Sequence, residues 1–201
     1  MRLTKKYVLL MQSISQFFPV TLPAIWRHLS PSSFNNVMGS WLFDSSSLTA
    51  RLKANCQKFH VEVIGQKEEI VQTQDACEHI TQGTKAIIRE VLLYCDGQPH
   101  VFARSIMPLD SLTDDEAFLA NLGDKPLGQA IFNSPHLTRG DFSVAQFDSD
   151  TRVVKLSNTI TDINVEALWG RRSIFFLHDK PLAVAEVFLP SAIAYQEEMA
   201  V

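Results

Sequence analysis

The chain has little glycine and little cysteine, eight and three residues in 201, and no long apolar run. No window approaches the ~18 apolar residues that a membrane-spanning helix needs. The glycines form neither a phosphate-binding loop nor a dinucleotide fingerprint. G-x-S-x-G is missing, so a hydrolase triad has no support. Six histidines (28, 60, 79, 100, 136, 178) show no H-x-H, H-x-x-x-H or H-E-x-x-H spacing, so neither a metal nor a metal-dependent reaction is expected. Cys56, Cys77 and Cys95 are odd in number and lack C-x-x-C, which reads as reduced thiols in a cytoplasmic protein. An excess of basic charge is lacking too. With a net charge of −4 and a pI near 5.8, no basic face is available for nucleic acid. A small anionic ligand is not excluded, because a few placed arginines suffice. The start, "MRLTKKYVLLMQSISQFFPV", has the basic opening of a signal peptide. Gln12, Ser13, Ser15 and Gln16 interrupt its apolar run, and no A-x-A site follows.

The length fits one domain over residues 1–201, large enough to enclose a pocket. Residues 1–45 read as helical and irregular, broken by Pro19, Pro23 and Pro31. "SSSLTARLKANC" places Leu48, Leu52 and Cys56 at i, i+4, i+8 behind a serine cap and predicts a short helix. "KFHVEVIG" alternates as a strand, and the polar residues 65–84 predict a loop or irregular edge. Asp96-Gly97 predicts a tight hairpin turn. Thr113 and Glu116 have capping-box spacing for a helix ending at Gly123, and a second helix follows Pro126 with Leu127 and Ile131 inward. "DFSVAQF" predicts a strand, 148–166 a polar insertion or mobile loop, and "RRSIFFLHDKPLAVAEVFLP" a closing hairpin. Strands joined by tight turns around one helical crossover give the α+β class, a single antiparallel sheet with helices packed on it.

Charges interrupt the apolar strand faces at three places. Alternation puts Arg89 with Ile87 and Val91, Arg104 with Phe102 and Ile106, and Glu186 with Val184 and Phe188. A two-residue turn at Asp96-Gly97 would set Arg89 opposite Arg104, a pair that is unfavourable unless an anion lies between them. Alternatively the arginines leave the face by snorkelling, or pair with Glu90 or Glu62. With a turn at Asp179-Lys180, Glu186 would face Ser173. It is either half of a structural ion pair or the polar element of an enclosed pocket. The two hairpins also share a pattern. Relative to Pro99 and Pro181, each has an arginine ten residues before (Arg89, Arg171), a charge five after (Arg104, Glu186) and a proline nine after.

"REVLLYCDGQPHVFARSIMP", "LGDKPLGQAIFNSPHLTR" and "ALWGRRSIFFLHDKPLAVAEVFLP", in that order and behind "SWLFDSSSLTARL", resemble the bacterial chorismate lyase family of ubiquinone biosynthesis. The resemblance covers about residues 40–147 and 167–195. It implies an antiparallel sheet with helical flaps over a buried site. It also implies a carbon–oxygen lyase that converts chorismate to 4-hydroxybenzoate and pyruvate with no cofactor. By the same resemblance Arg89 holds the ring carboxylate and the Leu127 N–H assists it. Glu186 lies near the 4-hydroxyl, and Arg104 is a second pocket arginine for the enolpyruvyl carboxylate. Leu48 stands where relatives carry Met and keeps an apolar flap wall. Glu186 and Arg89 are then the expected catalytic residues, in a cytoplasmic monomer.

Two other readings compete. One is a non-catalytic effector-binding domain of the UTRA type, which shares this fold; the acidic chain and the proline-broken 45 residues ahead of the match leave little room for a DNA-binding helix-turn-helix. The other is a related lyase forming 3-hydroxybenzoate.

Overall fold

A computed structural model describes residues 14–196. The first part of the signal-peptide-like start lies outside the described residues. The fold is a seven-stranded antiparallel sheet in the order β1-β2-β3-β7-β6-β4, with β5 also paired to β6. The strands are β1 (Phe59–Ile70), β2 (Lys85–Cys95), β3 (Gln98–Pro108), β4 (Leu137–Arg139), β5 (Ser143–Asp148), β6 (Ala167–Leu177) and β7 (Lys180–Phe188). β4 and β5 share one edge of β6, with a break at 140–142. The helices are α1 (Asn36–Leu42), α2 (Leu48–Ala54), α3 (Leu127–Ile131) and α4 (Arg152–Ile160).

Strand alternation gives the sheet two apolar faces, each covered differently. The front face carries Val91, Ala103 and Phe188 under α1 and α2, and Met107, Leu182 and Val184 under α3. The back face carries Leu92, Phe102 and Val187 under α4 and residues 14–24, and Ile88, Ile106 and Ala183 under the 71–80 turn.

Local chemistry explains the helix starts. Asn35 caps α1 by accepting from the Met38 N–H at 2.7 Å, and Ser47 caps α2 by accepting from the Ala50 N–H at 3.3 Å. Both tight turns need left-handed residues. Asp96 and Gly97 have φ of 50° and 83°, His178 and Asp179 of 47° and 63°, the signature of a type I′ hairpin.

Of the loop and the irregular edge expected over 65–84, residues 65–70 are the edge, continuing the outermost strand β1 past a register shift between Val63 and Gly65. Several expectations are corrected. The 148–166 stretch contains α4, because Val153, Leu156, Ser157 and Ile160 recur at i, i+3, i+4, i+7 and bury one stripe between outward polar residues. The capping box does not form. Residues 114–121 are a 3-10 helix with no side-chain cap. Thr113 Oγ1 accepts from Lys180 Nζ, while the Glu116 carboxylate turns to His178 and Lys180. Gly123 stops this segment as expected, at φ of 58°.

The register corrections matter most for the site. The Asp96-Gly97 turn does pair Cys95 with Gln98, but the ladder shifts by one between Leu93 and Tyr94. His100 is the extra residue, and a bulge of this kind reverses the faces beyond it. Arg89 therefore faces Ser105, and Arg104 pairs with Glu90. In the second hairpin the turn is His178-Asp179, so Glu186 lies opposite Arg171, and Ser173 opposite Val184.

Candidate active site

Arg89, on β2, is 1% exposed on the front face. Its Nη2 donates to the Gly123 and Lys125 carbonyls at 2.9 and 3.0 Å, tying down the loop that leads into α3. Its Nε is buried and has no hydrogen-bond partner. Burial pushes the guanidinium below its ordinary pKa, with Asp124 offsetting this by attraction. A buried cationic donor without an acceptor is costly, and an anion at this point would relieve it.

Glu186, on β7, is on the same face. Two strands and two residues separate it from Arg89, about 12 Å between Cα atoms at ordinary sheet spacings. Between them lie the small side chains of Ala103 and Ser105 on β3 and Val184 on β7. Leu48 opens α2 and Leu127 opens α3, both buried on the front side. The two helices meet. Lys53 Nζ donates to Gln129 Oε1 at 2.8 Å, and a Cβ on Gly128 would come within 3.1 Å of Thr49 Oγ1.

Two arginines missed in the sequence complete this face. Arg171 Nε donates to Glu186 Oε2 at 2.6 Å, and its Nη1 donates to the Trp41 and Asp44 carbonyls at 2.8 and 2.9 Å. Arg139, on β4, donates from Nε to Ser173 Oγ at 3.1 Å and from Nη1 to the Ser45 carbonyl at 3.1 Å, while its guanidinium stacks on Phe142. Burial and the nearby Arg171 bring Arg139 down to about 10, against the attraction of Glu186 and Asp44. It remains a cation at neutral pH. The two arginines grip the α1–α2 turn, and one of them also carries the glutamate. For Arg171 the signal was present in the adjacent arginines of "LWGRR", since neighbours on a strand must face opposite ways.

Arg104 does not join this group. It lies on the back face, 2% exposed, with Asp75 accepting from Nε at 3.0 Å and from Nη2 at 2.8 Å, and with Glu90 bound to Nη1. Glu90 also accepts from the Val20 N–H at 2.8 Å, so this ion cluster fastens residues 20–21 and the 72–76 turn to the sheet. Pairing with Glu90, one of the two ordinary explanations for a strand arginine, accounts for Arg104. The bulge at His100 is the cause.

Among the described residues no cluster of three or more His, Cys, Asp or Glu side chains could hold a metal ion. Nor is any helix there long and apolar enough to cross a membrane.

A profile of the family described as chorismate lyase matches residues 23–199. Relatives include the probable chorismate pyruvate-lyase of Pseudoalteromonas translucida, 41% identical over 180 residues, covering 89% of this chain and 98% of that one. The protein of the same name from Psychromonas ingrahamii is 37% identical over 182 residues, covering 88% and 96%. Among solved structures, PhnF from Mycobacterium smegmatis aligns with a TM-score of 0.55 at 10% identity, over 72% of this chain and 64% of that one. Its effector domain alone gives 0.51 at 11% identity, over 72% and 89%. Identity that low speaks for a shared fold and nothing more, whereas the sequence relatives match nearly end to end. The chain belongs to the chorismate lyase family.

Proposed function

We propose that this protein removes the enolpyruvyl group of chorismate, giving 4-hydroxybenzoate and pyruvate, on the front face between Arg89 and Glu186. The buried, unpartnered Nε of Arg89 carries the reading, because Arg89 shares the front face with Glu186, with Ala103, Ser105 and Val184 between them. The substrate ring bears a carboxylate at one end and a hydroxyl at the other. A cation and a carboxylate on one sheet face, two strands apart, match that polarity.

In this proposal the ring carboxylate docks on Arg89, whose planar fork is suited to it, and the Leu127 N–H supports it from the start of α3. The C4–H bond breaks and its electron pair forms the C3–C4 double bond. The C3–O bond breaks in turn, its pair leaving on the enolpyruvate oxygen. Enolpyruvate then gains a proton on its methylene carbon and becomes pyruvate. The new aromatic ring drives the step. Glu186 orients the 4-hydroxyl and handles the departing proton. The enolpyruvyl carboxylate falls to Arg139, the front-face cation nearest the Glu186–Arg171 pair, in place of Arg104. Leu48 and Leu127, opening two helices in mutual contact, shut the ring away from water. The reaction needs a free small molecule and no cofactor, in keeping with a cytoplasmic enzyme.

The test is to mix the purified protein with chorismate, follow pyruvate release and identify the aromatic product. Stoichiometric pyruvate with 4-hydroxybenzoate supports the proposal. Formation of 3-hydroxybenzoate would move the hydroxyl contact away from Glu186. Tight 4-hydroxybenzoate binding without pyruvate would leave an effector-binding protein instead.

A further inference from the structure

Adjacent residues Arg171 and Arg172 face opposite sides of β6, and only the first belongs to the site above. Arg172 sits on the back face, paired across the sheet with Ser143 and Ala185. It lines a cavity of about 530 Å³ together with Trp26, Cys77, His79, Asp141 and Phe176. That volume is within the range of small-molecule sites, roughly 300–1,000 Å³.

Among the described residues the Arg172 guanidinium makes no hydrogen bond and no ion pair. It stacks on the Trp26 ring at 4.6 Å. Asp75 attracts it from a distance, but both Asp75 oxygens are held by Arg104 at 3.0 and 2.8 Å. Burial accordingly pushes Arg172 below its ordinary pKa. A stacked guanidinium keeps its N–H edge free, and that edge matches a carboxylate in bidentate fashion. The lining beside it is aromatic: Trp26, and Phe176 with His79 packed edge-on at 4.9 Å. The acids in the lining, Glu78 and Asp141, are exposed, whereas Arg172 is half-buried. One inner cation and two outer carboxylates favour a monoanion over phosphate or a dicarboxylate.

We infer that this back-face cavity is a second binding site, separate from the catalytic face, for a small planar monocarboxylate held by Arg172 and flanked by Trp26 and Phe176. It lies across the sheet from Arg89 and stands whether or not the front face performs the lyase reaction.

Benzoate is the probe. It would be titrated into the ¹⁵N-labelled full chain, following the Trp26 indole resonance (assigned with Trp26→Phe) and the Cys77 amide. The Gly123 and Leu127 amides report the front face separately. Saturable shifts at Trp26 and Cys77 are expected, and they should persist in an Arg89→Gln background. Arg172→Gln should weaken them at least tenfold, and Arg172→Lys should do so partly, since it keeps the charge but loses the fork. Benzyl alcohol and inorganic phosphate should not saturate the site. No saturable Trp26 shift in the unsubstituted protein overturns the inference, whether or not the variants fold. Equal binding of benzyl alcohol, or unchanged binding by a folded Arg172→Gln protein, does the same.

Discussion

Arg171 Nε meets Glu186 Oε2 at 2.6 Å from the directly opposed position on the neighbouring strand. The two residues are direct partners in the β6–β7 ladder, so the register of the sheet itself sets the direction of the carboxylate. Arg171 is itself fixed by the Trp41 and Asp44 carbonyls, which join the orientation of Glu186 to the turn that leads into α2.

Glu186→Gln should lower turnover of chorismate by about a hundredfold or more, the usual range for removing a proton-handling group. 4-Hydroxybenzoate affinity should change little, because an amide can still hydrogen-bond the hydroxyl. Arg171→Gln should lower kcat while leaving KM within about threefold, since it frees the carboxylate without touching the Arg89 end. Arg171→Lys should recover part of the loss. Steady-state kinetics on both variants decide it, and normal turnover in Glu186→Gln would remove the glutamate from the mechanism.

Arg89 and Arg104 are both buried arginines, yet their replacement should fail in different ways. Arg89→Gln removes a charged donor from an anion site, worth about 2–3 kcal/mol, or roughly 30- to 150-fold in product affinity. Arg104→Met leaves Asp75 and Glu90 buried without their cation, at a cost of about 3–5 kcal/mol of stability. Product affinity of the folded Arg104→Met molecules should be unchanged. Urea denaturation and product titration on the two variants separate these outcomes. Loss of product affinity in folded Arg104→Met protein would return Arg104 to the site.

Why the sequence misplaced Arg104 is visible in the two hairpins. Arg89 and Arg171 hold equivalent positions and share the front face. Arg104 and Glu186 are also equivalent, but β3 carries the extra His100 and β7 has no such insertion, so they point to opposite faces. No glycine marks that bulge, and a one-residue slip has no signature in an apolar run. The serine-capped α2, the Asp96-Gly97 turn and the antiparallel sheet were legible because local chemistry alone specifies them. The roles expected of Arg89, Glu186, Leu48 and Leu127 came from the family resemblance, and the four do lie on one face. Arg139 was not legible, since its place depends on which edge of β6 accepts β4.

Stability at acid pH should depend on Glu116. Hydrogen bonds from Lys180 and His178 hold it below its ordinary value of 4.5, although burial opposes them. A carboxyl whose folded pKa is depressed contributes stability above its unfolded pKa. That contribution disappears as pH falls from about 4.5 through the folded value. Glu116→Gln should therefore be less stable than the unsubstituted chain at about pH 7, with the difference closing as pH falls below the ordinary 4.5. Thermal melts across that range test it. A constant difference at every pH would mean that the loss comes from packing of the 114–121 helix rather than from its charge.

Closure over the ring should depend on Gly128. It is the second residue of α3, where a Cβ would approach Thr49 Oγ1 to 3.1 Å and Ser47 Oγ to 3.6 Å. Thr49 is buried and Ser47 caps α2, so neither can move without disturbing the helix that carries Leu48. Alanine demands a few tenths of an ångström, and valine demands more. Gly128→Val should part α2 from α3 and speed 4-hydroxybenzoate dissociation by about tenfold, equivalent to ~1.4 kcal/mol. The chemical step, measured in a single turnover, should change less than release does, because Arg89, Arg171 and Glu186 are all on the sheet. Stopped-flow displacement of bound product measures the release rate. If release is unchanged while folding is intact, the contact between the two helices does not gate the site.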